Sequence, residues 1–376
     1  MSKVMTLHDA VKTYVKSGDS ICIGGFTTNR KPYAAVYEIL RQGLGDFTGY
    51  SGPAGGDWDM LIGEGRVKNF INCYIANSGY TNVCRRFRHE VEKVGKMNLE
   101  DYSQDVVMYM LHASSLGLPF LPVKLMQGSD IVNKWGISKE VREKDPKLPN
   151  DKLVEIENPL VPGEKVIAVP VPRLDVAVIH VQKASINGTC SIEGDEFHDI
   201  DIAVAAKRCI VTCEELVTEE EIRKEPSKNS IPQFCVDAVV HVPFGAHPSQ
   251  CYNYYDYDAD FFKMYDTVTK TEEDFKLIEN GELKMEKSGQ DDDAQPILNS
   301  QLSTLNFLIV PNPLKALQKL AEAHRDKFKI PVIGITGSNE SNYYCKRNHR
   351  WTDCNCRNRT SIDWSLFSKK NLCSKL

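Results

Sequence analysis

Apolar residues recur three and four apart at Leu7, Ala10, Val11, Tyr14 and Val15, the spacing of one helix face. Thr6 is placed to cap that helix. Asp9 falls at its third position, where a carboxylate satisfies orphan amides, and Gly18 marks a stop. Residues 20–25 (SICIGG) then predict a short strand closed by two glycines. Pro32 suits the first turn of a second helix with Tyr33, Val36, Ile39 and Leu40 on one face. Residues 70–75 predict another strand. Ser103 can cap a helix carrying Val106, Val107, Met110 and Leu111. The β-branched runs 165–171 and 176–181 are too continuous for a sheet wetted on one face. Residues 200–206 predict a helix, and 209–213 and 236–242 predict strands. Buried strands separated by helices define an α/β fold with a mostly parallel, doubly wound sheet. In such sheets ligands bind beyond the carboxyl ends of the strands.

Length and charge divide this picture. At 376 residues the chain exceeds one ordinary core. It is 41% hydrophobic and 26% charged, which excludes wholesale disorder, collagen and coiled coil. The net charge of −5 argues against nucleic acid as a partner. The longest uncharged stretch, 106–123, is broken by His112, Pro119 and Pro122, so no membrane span is expected. The first twenty residues lack an apolar signal run, and twelve scattered cysteines do not form a disulfide scaffold. A cytoplasmic protein with reduced thiols is expected. Residues 340–376 hold eight basic and three acidic residues and four of the cysteines. That stretch is +5, which leaves −10 for the remainder. An acidic, polar run at 288–299 (SGQDDDAQPILN) marks an earlier joint.

Three loops after strands carry the candidate chemistry. In the first (24–32, GGFTTNRKP), two glycines let backbone approach a ligand, with amides free to face a developing negative charge; Thr27, Thr28 and Arg30 add donors. A tight strand-to-helix turn is the plainer alternative. The second (51–59, SGPAGGDWD) has neither dinucleotide-binding glycine spacing nor a phosphate-binding lysine. The third (76–79, ANSG) could hold a carboxylate or simply turn the chain. No His-Glu-x-x-His, paired Cys-x-x-Cys or Gly-x-Ser-x-Gly pattern occurs in the first part. His112 and His180 lie on apolar elements and read as core residues; His247 has the best catalytic surroundings but no nucleophile pattern beside it. The set is incomplete, as if a group came from another chain.

The runs SGDSICIGGFTTNRKPYAAVYEILRQG, GPAGGDWDMLIGEGRVKNFINCYIANSG and VDAVVHVPFGAHPSQCYNYYDYD resemble the A (alpha) subunits of glutaconate CoA-transferases, within the family I CoA-transferases. EDYSQD, LGLPFLPV, MQGSD, WGISKEVR and VAVPVPRLDVAVIH match the same pattern, and the likeness spans 1–287. It implies the fold of that family and a B subunit carrying the nucleophilic glutamate, so no catalytic residue is expected in this chain. It also implies a coenzyme A thioester as substrate, no permanently bound cofactor and no metal. The expected A-side wall, binding substrate and oxyanion, is Gly24, Gly25, Phe26, Gly55, Gly56, Asn77 and Ser78. Glu279-Asn280-Gly281 copies the Glu-Asn-Gly of the B-subunit nucleophile loop, but its charged surroundings read as an exposed helix end.

The C-terminal part departs from that pattern. After a linker at 288–300, residues 301–339 contain NFLIVPNPLKALQKLAEAHRDKFKIPVIGITGSN, which resembles the ATP-loop region of a Mur ligase. It predicts a helix at 314–328 and a strand at 332–336. Glu340-Ser341 follows where Gly-Lys-Thr would be needed, so no ATP binding is expected. Residues 340–376 read as an unstructured or frame-shifted tail, and Cys345, His349, Cys354 and Cys356 match no standard zinc spacing. Two functions remain open. One is the A half of a CoA-transferase, working with its B partner. The other is a non-catalytic acyl-CoA or carboxylate-binding module with an interaction tail.

Overall fold

The computed structural model describes residues 2–271, apart from 82 and 135, and the backbone of 343–347 and 350–354. The chain divides into two units, Met1–Asp292 and Asp293–Leu376. In the first unit α1 (Leu7–Tyr14) is capped as its sequence predicts, with the Asp9 amide donating to the Thr6 hydroxyl at 3.1 Å. There follow β1 (Ser20–Ile23), α2 (Tyr33–Arg41), β2 (Phe47–Tyr50), α3 (Gly56–Gly63), β3 (Val67–Asn72), α4 (Arg85–His89), β4 (Asn98–Asp101) and α5 (Gln104–Ser115). Next come β5 (Phe120–Val123), α6 (Lys139–Lys144), β6 (Val154–Glu157), β7 (Lys165–Pro170), β8 (Val176–Ser185), β9 (Cys190–Ser191), α7 (Asp199–Ala205) and β10 (Arg208–Val217). The unit ends with α8 (Glu219–Ile222), β11 (Asn229–Ile231), β12 (Ala238–His241) and α9 (Ala259–Val268).

Seven strands of the main sheet run parallel in the order β12-β10-β8-β1-β2-β3-β4, and the short β9 and β11 extend it antiparallel. Alternate side chains feed two cores, one on each face. Ile21 and Ile23 join α1, α2 and α3, whereas Cys22 faces the core built with α5 and α7. The predicted doubly wound α/β sheet is therefore present. Strand order reverses between β8 and β1, so the chain leaves β1 at the topological switch point, where a crevice opens beyond the carboxyl ends. Trp58 seals one core. It is fully buried, its ring is 4.9 Å from Phe70, and a Cβ on Gly49 would meet it at 2.4 Å. Trp58→Ala should cost about 3–5 kcal/mol of stability, measured as a shift in the denaturant midpoint.

Several expectations need correction. The run 165–171 is not part of the parallel sheet. Residues 165–170 form the centre of a separate antiparallel sheet, β5-β7-β6. There Val166, Ile167 and Val169 are buried while Lys165 is exposed. A β-branched run fits a small half-open sheet as well as a buried one. The expected loop 51–59 ends at Gly55, because Gly56 already begins α3. Ser103 stands at the start of α5, but its hydroxyl turns to Asp105 and makes no capping bond to an amide.

In the second unit, Tyr343–Arg347 and Arg350–Cys354 pair as an antiparallel hairpin. The expected linker, the 314–328 helix, the 332–336 strand, the Glu340-Ser341 junction and the Glu279-Asn280-Gly281 run all lie outside the described residues, as do the side chains of Cys345, His349, Cys354 and Cys356. Among the described residues no helix is long and apolar enough to cross a membrane.

Candidate active site

Parallel pairing of β1, β2 and β3 brings their three following loops together. The Thr27 amide donates to Pro53 O at 2.9 Å, the Ala76 amide to Ala54 O at 3.1 Å, and the Gly56 amide to Asn77 Oδ1 at 2.8 Å. The first loop folds on itself as a tight turn. Phe26 and Asn29 exchange amide–carbonyl bonds of 2.9 and 2.7 Å, with Gly25, Thr27 and Arg30 at positive φ. The segment 243–251 is zipped to this turn, with the Arg30 amide donating to Gln250 O and the Gln250 amide to Thr28 O. Gly24, Gly25, Phe26, Gly55, Gly56 and Asn77 thus converge, and Ser78 follows directly.

The glycine amides are not free, which corrects the expectation that they face a ligand. Gly24 donates to Val178 O at 2.9 Å, Gly25 to Asp199 Oδ1 at 2.8 Å and Gly55 to Asp57 Oδ1 at 3.0 Å. The glycines are needed for close packing. Added Cβ atoms would lie 2.5 Å from Asp199 at Gly24, 2.5 Å from the Asn29 carbonyl at Gly25, and 2.4 Å from the Thr27 carbonyl at Gly55. Asn77 is buried as the oxygen partner that fixes the start of α3. Phe26 and Ser78 are the members of the set with partly exposed side chains. Phe26 lines a cleft of about 450 Å³ with Asn29, Phe197, Gln250 and Tyr252, and the Ser78 hydroxyl is 3.1 Å from that of Tyr74.

Two buried ion pairs brace this wall, and neither was evident in the sequence. Asp199 is fully buried; besides Gly25 it accepts from Arg30 Nη1 at 2.6 Å. Arg30 also donates to His180 O and Asp195 O, both at 2.8 Å, and its guanidinium lies 5.6 Å from the centre of the Phe197 ring. That ring stacks on Phe26 at 5.2 Å. The second pair is Lys31–Asp57 at 3.2 Å, with both side chains fully buried. His198, also buried, holds the Ile23 carbonyl through Nε2, and burial lowers its pKa, which keeps the ring neutral.

A third buried group centres on Glu214. His180, Tyr255 and the Phe244 amide meet its carboxylate at 2.8, 2.6 and 2.7 Å, and His180 Nδ1 bonds Thr212 at 2.8 Å. Burial works against the Glu214 charge, but these partners outweigh it and hold the carboxyl below its usual range. His180, Glu214 and Cys251 lie close enough to share an ion. However, the histidine nitrogens and Glu214 oxygens are already engaged, and burial pushes the Cys251 thiol up to about 12. The group is a hub that fixes the 243–255 segment. His180 has the core role its apolar strand predicts. His112 does not: its side chain is 57% exposed and bonds Asp201. His247 Nε2 is taken up by Asp258 at 2.8 Å.

A seven-stranded parallel sheet with a glycine turn at its switch point defines an α/β ligand-binding architecture, and comparison with known proteins specifies it. Residues 4–242 match the Coenzyme A transferase family; the chain belongs to that family and is a CoA-transferase subunit. It is 66% identical to the A subunit of glutaconate CoA-transferase from Acidaminococcus fermentans over 275 residues, 73% of this chain and 86% of the relative. It is 33% identical to the A subunit of 3-oxoadipate CoA-transferase from Pseudomonas knackmussii, over 73% of this chain and 91% of that one. The crystal structure of glutaconate CoA-transferase from A. fermentans matches with a TM-score of 0.72 and 65% identity, covering 73% of this chain and 87% of that one. This likeness does not favour the non-catalytic module.

Proposed function

We propose that this chain is the A half of a two-subunit transferase that moves CoA from an acyl-CoA such as acetyl-CoA to a dicarboxylate such as glutaconate. The observation that carries the reading is 66% identity over 275 residues to the A subunit of a glutaconate CoA-transferase, beside a family match over 4–242 that includes the three loops. The chemistry needs a carboxylate nucleophile. Asp57 and Asp199, which accept from the Gly55 and Gly25 amides, are fully buried and held in ion pairs, so neither is free to attack a thioester, and the nucleophile is assigned to the partner. A partner glutamate attacks the thioester carbonyl, giving a mixed anhydride and CoA thiolate. The thiolate attacks the glutamyl carbonyl and releases the first carboxylate, leaving a glutamyl-CoA thioester. The incoming dicarboxylate then takes the CoA by the reverse steps, and the thioester is never lost to water.

In this reading Gly24, Gly25, Gly55, Gly56 and Asn77 form a rigid back wall, and Phe26 and Ser78 meet substrate. Tyr74, Phe244 and Tyr252 are exposed on loops that follow β3 and β12, and exposed aromatic side chains are of the kind enriched where subunits meet. Coexpressed with a B-type subunit, the chain should exchange CoA between acetyl-CoA and glutaconate, and alone it should not. Full turnover by the chain alone, or no exchange by the assembled pair, would refute the proposal. Ser78→Ala should raise KM for glutaconate several-fold with little change for acetyl-CoA; an unchanged KM would remove the Ser78 role.

A further inference from the structure

The hairpin that joins β6 to β7 ends in an apolar tip. Residues 158–163 read NPLVPG, with Leu160 87% exposed and Val161 exposed beside it. The backbone of this tip is pinned. The Asn158 amide donates to Glu164 O at 2.7 Å and the Val161 amide to Asn158 O at 3.2 Å. The Leu160 amide donates to Asn158 Oδ1 and the Gly163 amide to Glu157 Oε1, both at 3.0 Å. Pro159 and Pro162 restrict φ on either side of the apolar pair. A leucine on so fixed a backbone loses less freedom when it docks. Next to the hairpin an apolar groove of about 320 Å³ runs between the end of α5 and β5. Tyr109, Leu116 and Leu118 line it and are exposed, and Leu121 and Pro122 complete its apolar lining. Lys124 also lines it, and no acid does. Lys124 pairs with Glu164 at the root of the hairpin, so groove and tip lie side by side on one surface. The hairpin itself is acidic. Glu155 pairs with Lys165, and the exposed Glu157 has no ion pair among the described residues.

We propose that this surface joins two copies of the chain, the Leu160–Val161 tip of each seated in the α5–β5 groove of the other. A twofold contact needs a surface that complements itself, so that one feature of each copy meets the other feature of its mate. Here both features stand on one chain, next to each other. They match in kind, since an apolar protrusion faces an apolar recess. They match in sign, since an acidic hairpin faces a groove with a lysine and no acid. A different partner would need only the tip or only the groove; the presence of both favours a second copy. The groove includes none of the residues of the candidate wall, so the contact does not depend on the transferase reading.

Sedimentation velocity on the full-length chain tests this. The unaltered chain should sediment as a two-copy species that dissociates on dilution. Leu160→Asp and Leu116→Asp should each weaken that association at least tenfold. Both side chains are exposed, so both variants should fold normally, which circular dichroism checks. An equimolar mixture of the two variants should associate more tightly than either does alone. In the mixed pair one tip and the groove that receives it are both unaltered, a recovery expected only of a reciprocal contact. Three results would each overturn the assignment: a chain that stays monomeric; association indifferent to either variant; or a mixture no tighter than the separate variants. Coexpression with a B-type subunit covers the other occupant. If either variant lost that subunit while its self-association was unchanged, the surface would belong to the B-type subunit instead.

Discussion

Asp199→Asn should lower exchange activity of the assembled enzyme by roughly 100-fold and destabilise this chain by about 3–5 kcal/mol, the usual cost of leaving one member of a buried pair uncompensated. Asparagine can keep its oxygen on the Gly25 amide, but its NH₂ then faces Arg30 Nη1, donor against donor. Arg30 is the strut between the turn and the 195–197 segment, so its displacement loosens Phe197 and, through the 5.2 Å stack, Phe26. The double variant Arg30→Met/Asp199→Asn separates the two effects. With both charges gone no unpaired charge stays buried, so most of the lost stability should return. The aromatic wall remains unbraced, so activity should stay low. Thermal melts and steady-state kinetics on the unaltered chain and both variants test this. Recovery of activity together with stability would show that Asp199 acts only through folding.

How far such features can be read from sequence depends on how local their causes are. The first helix is legible because its cap, acidic first turn and apolar face fall within nine residues, 6–14. The switch-point turn is legible as a place, since a glycine pair closing a β-branched strand marks close backbone approach. Its chemistry is not legible, because the acceptors that consume its amides, Val178 and Asp199, arrive from more than 150 residues away. Asp199 itself stands in HDID at the start of α7, where an acid is ordinary helix-end chemistry. Glu214 left a better signal: an acid in the middle of VTCEELV, a run otherwise suited to a buried strand, asks for a partner. The small antiparallel sheet escaped because KVIAVP has the same composition whether one face or both are covered. His112 lies on a helix whose buried positions are Val106, Val107, Met110, Leu111 and Ala113. It is the neighbour that faces out, a distinction of about 100° around the axis that a list of apolar residues blurs.

Asp59→Asn should stabilise the chain at neutral pH by up to roughly 3 kcal/mol, and the gain should vanish in acid. Asp59 is fully buried at the start of α3, and burial raises its carboxyl from 3.8 to about 6 against the opposing pull of the Phe87 amide and the Tyr265 hydroxyl. A carboxyl whose folded pKa exceeds its unfolded value binds more protons in the folded state. Its effect on stability is therefore absent below the unfolded pKa, grows unfavourable as pH rises, and is complete above about 6. Asparagine keeps an oxygen for the Phe87 amide and offers its NH₂ to the Tyr265 oxygen, without the buried charge. Asp175 has the opposite sign. Burial opposes its charge, but Lys147, the Ser20 amide and Lys207 outweigh that and hold it at about 2, so its contribution is lost only in stronger acid. Comparing the variant with the unaltered chain at each pH cancels Asp175 and the other shared groups. Denaturant midpoints of the two chains should therefore diverge from pH 4 to 6 and level off by pH 7. A difference that does not change with pH would mean that Asp59 titrates alike in the folded and unfolded chains, its hydrogen bonds offsetting burial.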